Sequence, residues 1–406
     1  MLTGPKAIEL LKDCPPNIKS VTLGTKSFGK DAAIVAADRL GSLTTLKFAD
    51  LSDIIAGRPE IEALEVLQVI CGALPKSILE LDLSENALGE KGIRALEGIL
   101  SQLGDLEKIS FQNNGLSELS IKLLSDYLPT SSLKSLVFHN NMSGSGGAIA
   151  AAAIVLRSIK LEEFRMSSSR VAANGGLALI PALANATHLK KLNLSDSMFD
   201  KACASELLKV LGNVPNLTDL ILRDTGLGVP AVITALGNPL VSPMLSVLDL
   251  SGLEFEPDMG SKVGGIIAGR PRLRKLWLDD NELASAGVIA MCRKAAKSMI
   301  EMISIESNAV GRNGAIALVR FALTNPSILT INLNSNSISE EAVESMKRLL
   351  AVQHRTDVLG SLDENEPEDD EDDEEEEDDD EEDDDEENDD IAVDSLADAL
   401  NAGLQL

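Results

Sequence analysis

Residues 78–100 read ILELDLSENALGEKGIRALEGIL, and this stretch decides the fold. Its first half places Ile78, Leu81, Leu83 and Leu88 around Asn86, which is the pattern L-x-x-L-x-L-x-x-N-x-L of a leucine-rich repeat. Its second half sets Ile93, Leu96, Ile99 and Leu100 at the spacing of one helix face. Strand, turn and helix make one unit. Such a unit cannot bury its apolar face alone and needs neighbours on both sides.

The neighbours are in the sequence. The middle apolar residue of each copy falls at Val21, Leu46, Leu81, Ile109, Leu136, Phe164, Leu192, Leu220, Leu248, Leu276, Ile303 and Ile331. From Leu81 onward the step is always 27 or 28 residues, whereas Leu46 to Leu81 spans 35, about seven too many. Repeats of this length hold a true helix on the outer face. The expected fold is therefore an α/β leucine-rich-repeat solenoid: a crescent of about twelve 28-residue repeats, with a parallel sheet on the concave face and helices on the convex face. Residues 1–17 are expected to cap the first repeat through a helix from Lys6 to Asp13, and 18–356 to form the repeat domain. Residues 357–390 read as a disordered acidic tail and 391–406 as a short, amphipathic C-terminal helix.

Charge and composition narrow the function. The net charge is −29, but residues 363–390 hold 25 Asp or Glu and no base, so the remaining 40 acidic residues nearly balance 36 basic ones. Nucleic acid is not the expected partner. Cys14, Cys71, Cys203 and Cys292 are scattered, without a C-x-x-C pair, and read as reduced thiols. No apolar run is long enough for a membrane span, and no signal-peptide core is present, so a soluble intracellular protein is expected.

Several segments stand out. Gly24 to Asp31, GTKSFGKD, falls one residue short of a phosphate-binding loop, since Asp31 replaces the hydroxyl residue and would repel phosphate. Its Gly29 aligns with Gly89 and reads as turn chemistry. The second repeat puts Leu51 where Asn is expected, and the extra residues follow in DIIAGRPEIEALEVLQVI, 53–70. A helix starting at Pro59 would leave Arg58 exposed on the strand-to-helix edge. Long loops of repeat proteins often carry the binding site. The same AGRP recurs at 268–271 in a repeat of normal length. The residue before the ladder Asn reads Glu85, Asn113, Asn140, Ser168, Asp196, Asp224, Gly252 and Asp280. This row is either a solvated rim of turn residues or a docking edge for a basic surface. Residues flanking the strand leucines, such as Lys108, Ser110 and Gln112, or Lys275, Trp277 and Asp279, are expected on the open strand face; Trp277 reads equally as anchor or as packing. His139, His188 and His354 are far apart, and neither an enzyme motif, a metal cluster nor a cofactor site is expected.

Twelve such repeats, the inserted AGRPEIEALEVL, FQNNGL at 111–116, FHNNMSG at 138–144 and a trailing acidic tract resemble the Ran GTPase-activating protein family over residues 1 to about 390. LSENALGEKGIRA and the GRPE insertion resemble the plant branch most. That branch carries an additional N-terminal targeting domain, which the sequence, starting at the repeats, is expected to lack. The resemblance implies a GTPase activator without an active site of its own, acting on the GTP-bound form of Ran, with a Ran-binding protein as a further partner. It implies a monomer, cytoplasmic, with nuclear-envelope association an open alternative. It places the family's essential arginine at Arg58 and its essential asparagine at Asn113, leaving Asn114 as the ladder residue. Glu85, Asn140, Asp196 and Asp224 are the further partner-binding candidates. An activator either inserts an arginine, part of a roughly 10⁵-fold acceleration in Ras-type systems, or orders the GTPase's own glutamine. The residues alone leave both open; the resemblance implies the second. The rival reading is a histone chaperone or phosphatase inhibitor that joins repeats to an acidic tail, and a second is a ribonuclease-inhibitor-like binder.

Overall fold

The computed structural model describes residues 1–295 and 298–366. The expected disorder of 367–390 and the expected helix of 391–406 lie outside the described residues. The chain divides into two compact units: Met1–Ala235 with Leu240–Leu245, and Leu236–Pro239 with Ser246–Leu406.

The first unit stacks eight three-residue parallel strands: β1 Ser20–Thr22, β2 Phe48–Asp50, β3 Glu80–Asp82, β4 Lys108–Ser110, β5 Ser135–Val137, β6 Glu163–Arg165, β7 Lys191–Asn193 and β8 Asp219–Ile221. Each pairs with the next in sequence. The second unit continues the same pattern with β9 Val247–Asp249, β10 Lys275–Trp277, β11 Met302–Ser304 and β12 Thr330–Asn332. Helices return the chain between strands, as parallel pairing requires. The middle residue is buried in every strand but β1, where Val21 is half-buried: Leu81, Ile109, Leu136 and Phe164 are no more than 2% exposed. A leucine so buried stabilises the fold by about 1.5–3 kcal/mol.

Strand pairing corrects the sequence register at the second repeat. Ala49, not Leu46, is the middle residue of β2, since it pairs with both Val21 and Leu81. The steps become 28 and 32 residues, so the insertion is four residues long, not seven. The strand centre here is a small residue, and the leucine that fits the pattern, Leu46, lies three residues before it. In the corrected register Ile54, not Leu51, stands where the ladder asparagine would be.

Asparagines tie the repeats together. In the first unit Asn86 donates to Leu51 O, Leu83 O and Ser84 O, and its Oδ1 accepts from Ile54 N at 2.9 Å. Asn114 Oδ1 accepts from Asn86 N at 3.0 Å, and Asn141 Oδ1 from Asn114 N at 3.2 Å. In the second unit Asn281, Asn308 and Asn336 bond the turns in the same way. Buried backbone groups at each turn need partners, and these side chains supply them.

Both ends differ from expectation. The N-terminal helix is α1, Gly4–Leu11, with proline in its first turn. Leu2 bridges Phe28, so this segment pairs with the first repeat directly. At the other end the ladder does not stop at 356. Leu359 bridges Ile331, Gly360 N donates to Ile331 O, and Asn365 Oδ1 accepts from Asn336 N at 2.9 Å. LGSLDEN supplies a partial thirteenth repeat, which satisfies the open edge of β12 before the acidic run begins.

Candidate functional site

The site starts from a backbone constraint. The twelve residues that follow the strand pattern at its strand-to-helix turn all have positive φ: Thr25, Asp53, Glu85, Asn113, Asn140, Ser168, Asp196, Asp224, Gly252, Asp280, Ser307 and Ser335, with φ from 50° to 62°. The left-handed region is open to glycine and tolerated by Asn and Asp. The polar row therefore has a conformational cause that periodicity does not reveal. Glu85 is the one long side chain in that row.

Three consecutive members are joined. Asn113 Nδ2 donates to Glu85 Oε1, and Asn113 Oδ1 accepts from Asn140 Nδ2 at 2.6 Å. Gln112 Nε2 reaches the same Glu85 oxygen at 3.5 Å. The platform beneath is rigid: Phe111 and Phe138 stack with centroids 6.0 Å apart, and Asn114 is fully buried. The two adjacent asparagines thus do different things, Asn114 bonding the turns and Asn113 lying on the outer row. Beside Asn140, His139 Nδ1 meets Ser167 Oγ at 2.8 Å, and that oxygen accepts from Arg165 Nε at 2.9 Å. Burial, and then the Arg165 charge, hold His139 below the usual histidine range.

Arg58 is not the protruding residue that its loop position suggested. Gly57 turns the chain at φ 69°, and the side chain folds back until only 9% of it is exposed. Its Nε donates to Ser27 Oγ at 3.0 Å, and its Nη1 lies 2.9 Å from Met1 Sδ and 3.5 Å from Glu62 Oε1. Ser27 Oγ in turn donates to Ala56 O at 2.6 Å, tying the insertion to the first repeat. Pro59 sits just before the helix Glu60–Gly72, as its N-cap instead of opening it. The GTKSFGKD segment is used in the same packing. Asp31 accepts from Gly4 N at 2.6 Å, and a Cβ at Gly24 would lie 2.7 Å from Ser52 Oγ. Gly29 also departs from its supposed counterpart: it is an extended N-cap at φ −79°, whereas Gly89 has φ +49°.

The structure brings Arg58 and Glu85 to one groove. A 710 Å³ cleft runs between the insertion and the third repeat, lined by Gly57, Arg58, Glu60 and Leu64 on one side and by Glu85, Ala87 and Lys91 on the other. Lys91, on the helix Gly89–Ala95, spans it to Glu60 at 2.7 Å. Arg58 lines the cleft, and Glu85 on its other side accepts a hydrogen bond from Asn113. The two candidate residues thus lie on one edge, with Glu85 between their repeats.

A Leucine Rich repeat family model matches residues 75–96. RAN GTPase-activating protein 2 of Arabidopsis thaliana is 40% identical over 376 residues, covering 89% of this chain and 68% of that protein. The chain belongs to the Ran GTPase-activating protein family. RAN GTPase-activating protein 1 of the same plant is 46% identical over 101 residues, 24% of this chain and 19% of that protein. Pig (Sus scrofa) ribonuclease inhibitor is 24% identical, over 81% of this chain and 79% of its own length.

The other candidate residues in this Ran GTPase-activating protein family member are not part of the joined triplet. Asp196 is exposed, and Asp224 pairs with Arg223 Nε at 3.1 Å. Lys108 pairs with Glu80 at 2.8 Å on the strand face. Trp277 is half-buried in the second unit. Asp279, expected on the open face, is 7% exposed and accepts from Glu306 N at 2.9 Å. Three cysteines, Cys71, Cys203 and Cys292, are buried, and burial pushes the Cys71 and Cys292 thiols up to about 12. Sequence reasoning had placed Glu85 in the row but missed its bond to Asn113. The available signal was its length in a row otherwise made of short residues.

Proposed function

We propose that this chain stimulates GTP hydrolysis by the small GTPase Ran, with Asn113 as the residue that orders the GTPase's catalytic glutamine. Family membership, at 40% identity over 89% of the chain, is the observation that carries the activity. The hydrogen-bonded triplet supports the role of Asn113. Its carboxamide is held from both sides yet lies on the outer row, where a docked switch region can reach it. A group fixed before docking loses no orientational freedom at the reaction step.

The fold-back of Arg58 favours the glutamine-ordering route over an arginine finger. A finger must extend into the phosphate site of its partner. Arg58 would first have to give up Ser27 and Glu62. In this reading Arg58 holds the insertion against the first repeat and shapes the cleft that receives the GTPase. The chain supplies no hydrolytic machinery of its own and acts as a monomer on the GTP-bound form, with a Ran-binding protein as a further partner. Its place of action is the cytoplasm, where it would keep Ran in the GDP form. The acidic run adds attraction that fades over a Debye length of about 8 Å at physiological salt.

The test is phosphate release from GTP-loaded Ran with catalytic amounts of the protein. Acceleration by the wild type is expected, with Arg58→Ala and Asn113→Ala each strongly impaired. No acceleration by the wild type would remove the activity; full activity in both variants would remove the site and leave the activity standing.

A further inference from the structure

We infer that Glu85 is a positioning residue that sets which way the Asn113 carboxamide faces, and that this polarity, not merely the presence of hydrogen bonds, is needed for GTPase stimulation. The inference rests on the function proposed above and names a residue that acts through Asn113.

The argument is one of donor and acceptor inventory. A carboxamide has one end that donates and one that accepts, and the two ends are nearly the same shape. Asn113 lies between two neighbours, Glu85 and Asn140. Asn140 is itself a carboxamide and can turn to suit either end. An ionised Glu85 can only accept. It therefore admits one arrangement: Asn113 Nδ2 toward Glu85 and Oδ1 toward Asn140, with Asn140 donating. Reversing Asn113 would set its oxygen against a carboxylate oxygen. In a triplet of two ambiguous groups and one unambiguous group, the unambiguous one decides the direction of the whole chain.

Glu85 holds this place against backbone preference. Its φ of 62° belongs to the left-handed region, where Asn, Asp or Gly is the easier choice. Asp occupies the equivalent position at Asp53, Asp196, Asp224 and Asp280. Glu85 departs from the Asn, Asp or Gly that stands at seven of the twelve positions, as Thr25 also does, and strain kept in such a row suggests a use for the side chain that is held there. Fixing Asn113 leaves its second amide hydrogen and a second oxygen lone pair in set directions. The side chain to be ordered, glutamine, is itself a carboxamide. Two carboxamides pair productively only when donor meets acceptor, so a flipped Asn113 would offer the wrong partner at each end.

The discriminating variant moves the carboxylate from one side of Asn113 to the other. In Glu85→Gln with Asn140→Asp, net charge is kept and each hydrogen bond can still form. The new carboxylate at position 140 can only accept, and the new carboxamide at position 85 donates, which turns Asn113 around. GTP hydrolysis by Ran is measured for the wild type, E85Q, N140D and the double variant, with kcat and KM for GTP-loaded Ran and thermal unfolding for each. E85Q, whose Asn113 is free to face either way, is expected to lose about twofold in kcat, since about half the molecules face wrongly, and the double variant about a hundredfold. KM and the unfolding midpoint should stay close to the wild type in both. A double variant with wild-type kcat would overturn the inference, as would losses that appear only in KM or only with unfolding, since a merely structural Glu85 gives those. If the wild type itself fails to accelerate hydrolysis, the function proposed above falls and this inference with it.

Discussion

The tetrapeptide Ala-Gly-Arg-Pro occurs at 56–59 and again at 268–271, and its two arginines have opposite fates. Both donate their backbone N–H to a carbonyl three residues back, Arg58 to Ile55 and Arg270 to Ile267. There the likeness ends. Gly57 takes a positive φ and swings the chain from strand edge to helix, leaving the Arg58 side chain along an open cleft beside Glu62. Gly269 instead ends the helix Gly260–Ala268 at φ −77°. Arg270 then turns inward, is 2% exposed and donates from Nη2 to Asn238 O at 3.3 Å. Burial pulls its pKa down to about 10. A local sequence motif sets a local turn; the edge of the repeat on which the turn falls decides whether its cation is sealed in the interior or ties the wall of a cleft.

The largest expected effect breaks this comparison in two. Arg58→Met should lower stimulated GTP hydrolysis by about a hundredfold, because an insertion no longer held against the first repeat misplaces the cleft that receives the GTPase. Arg270→Met should leave turnover within about twofold, because a buried charge is often replaceable by an apolar chain of similar volume. Equal losses in a phosphate-release assay would erase the distinction. Next in size is stability. Arg270→Ala both empties a buried volume and strips Asn238 O of a donor, and should cost about 3 kcal/mol in urea unfolding. Arg58→Ala should cost about 1 kcal/mol, the scale of a hydrogen bond.

The adjacent asparagines give a sharper version of the same contrast. Asn114→Ala leaves the buried N–H of Asn86 without its acceptor and should cost about 2 kcal/mol. Asn113→Gly relieves a left-handed residue and should change stability by less than about 0.5 kcal/mol, yet abolish most of the stimulation. The smallest effect concerns the cleft. The Lys91–Glu60 pair is well exposed on both sides. Lys91→Ala should therefore shift stability by no more than about 0.5 kcal/mol, while any change in KM for GTP-loaded Ran would mark the cleft as part of the docking surface.

The legibility of the chain followed its periodicity. Eleven of the twelve strand centres were readable because each holds a bulky apolar residue; the second was misread because Ala49 is small and Leu46 lay three residues away. The C-terminal partial repeat was hidden because Leu359, Leu362 and Asn365 sit at the threshold of the acidic run. Arg58 could be located but not oriented, since the groups that fold it back, Ser27 and Glu62, come from another repeat and from the next helix turn. The polar row was visible as composition; its cause, a left-handed backbone at every copy, was not.

Resemblance named the family and the two candidate residues, Arg58 and Asn113; the sequence by itself determined the repeat and its length. Those are statements about side-chain type at fixed spacing, and burial of a periodic apolar set permits few alternatives. Tertiary structure alone decided that Arg58 is tucked in and that Asn113 is clasped between Glu85 and Asn140. Residues 27 to 28 apart meet only when one repeat is laid on the next, so the direction of a carboxamide depends on neighbours that no local stretch contains.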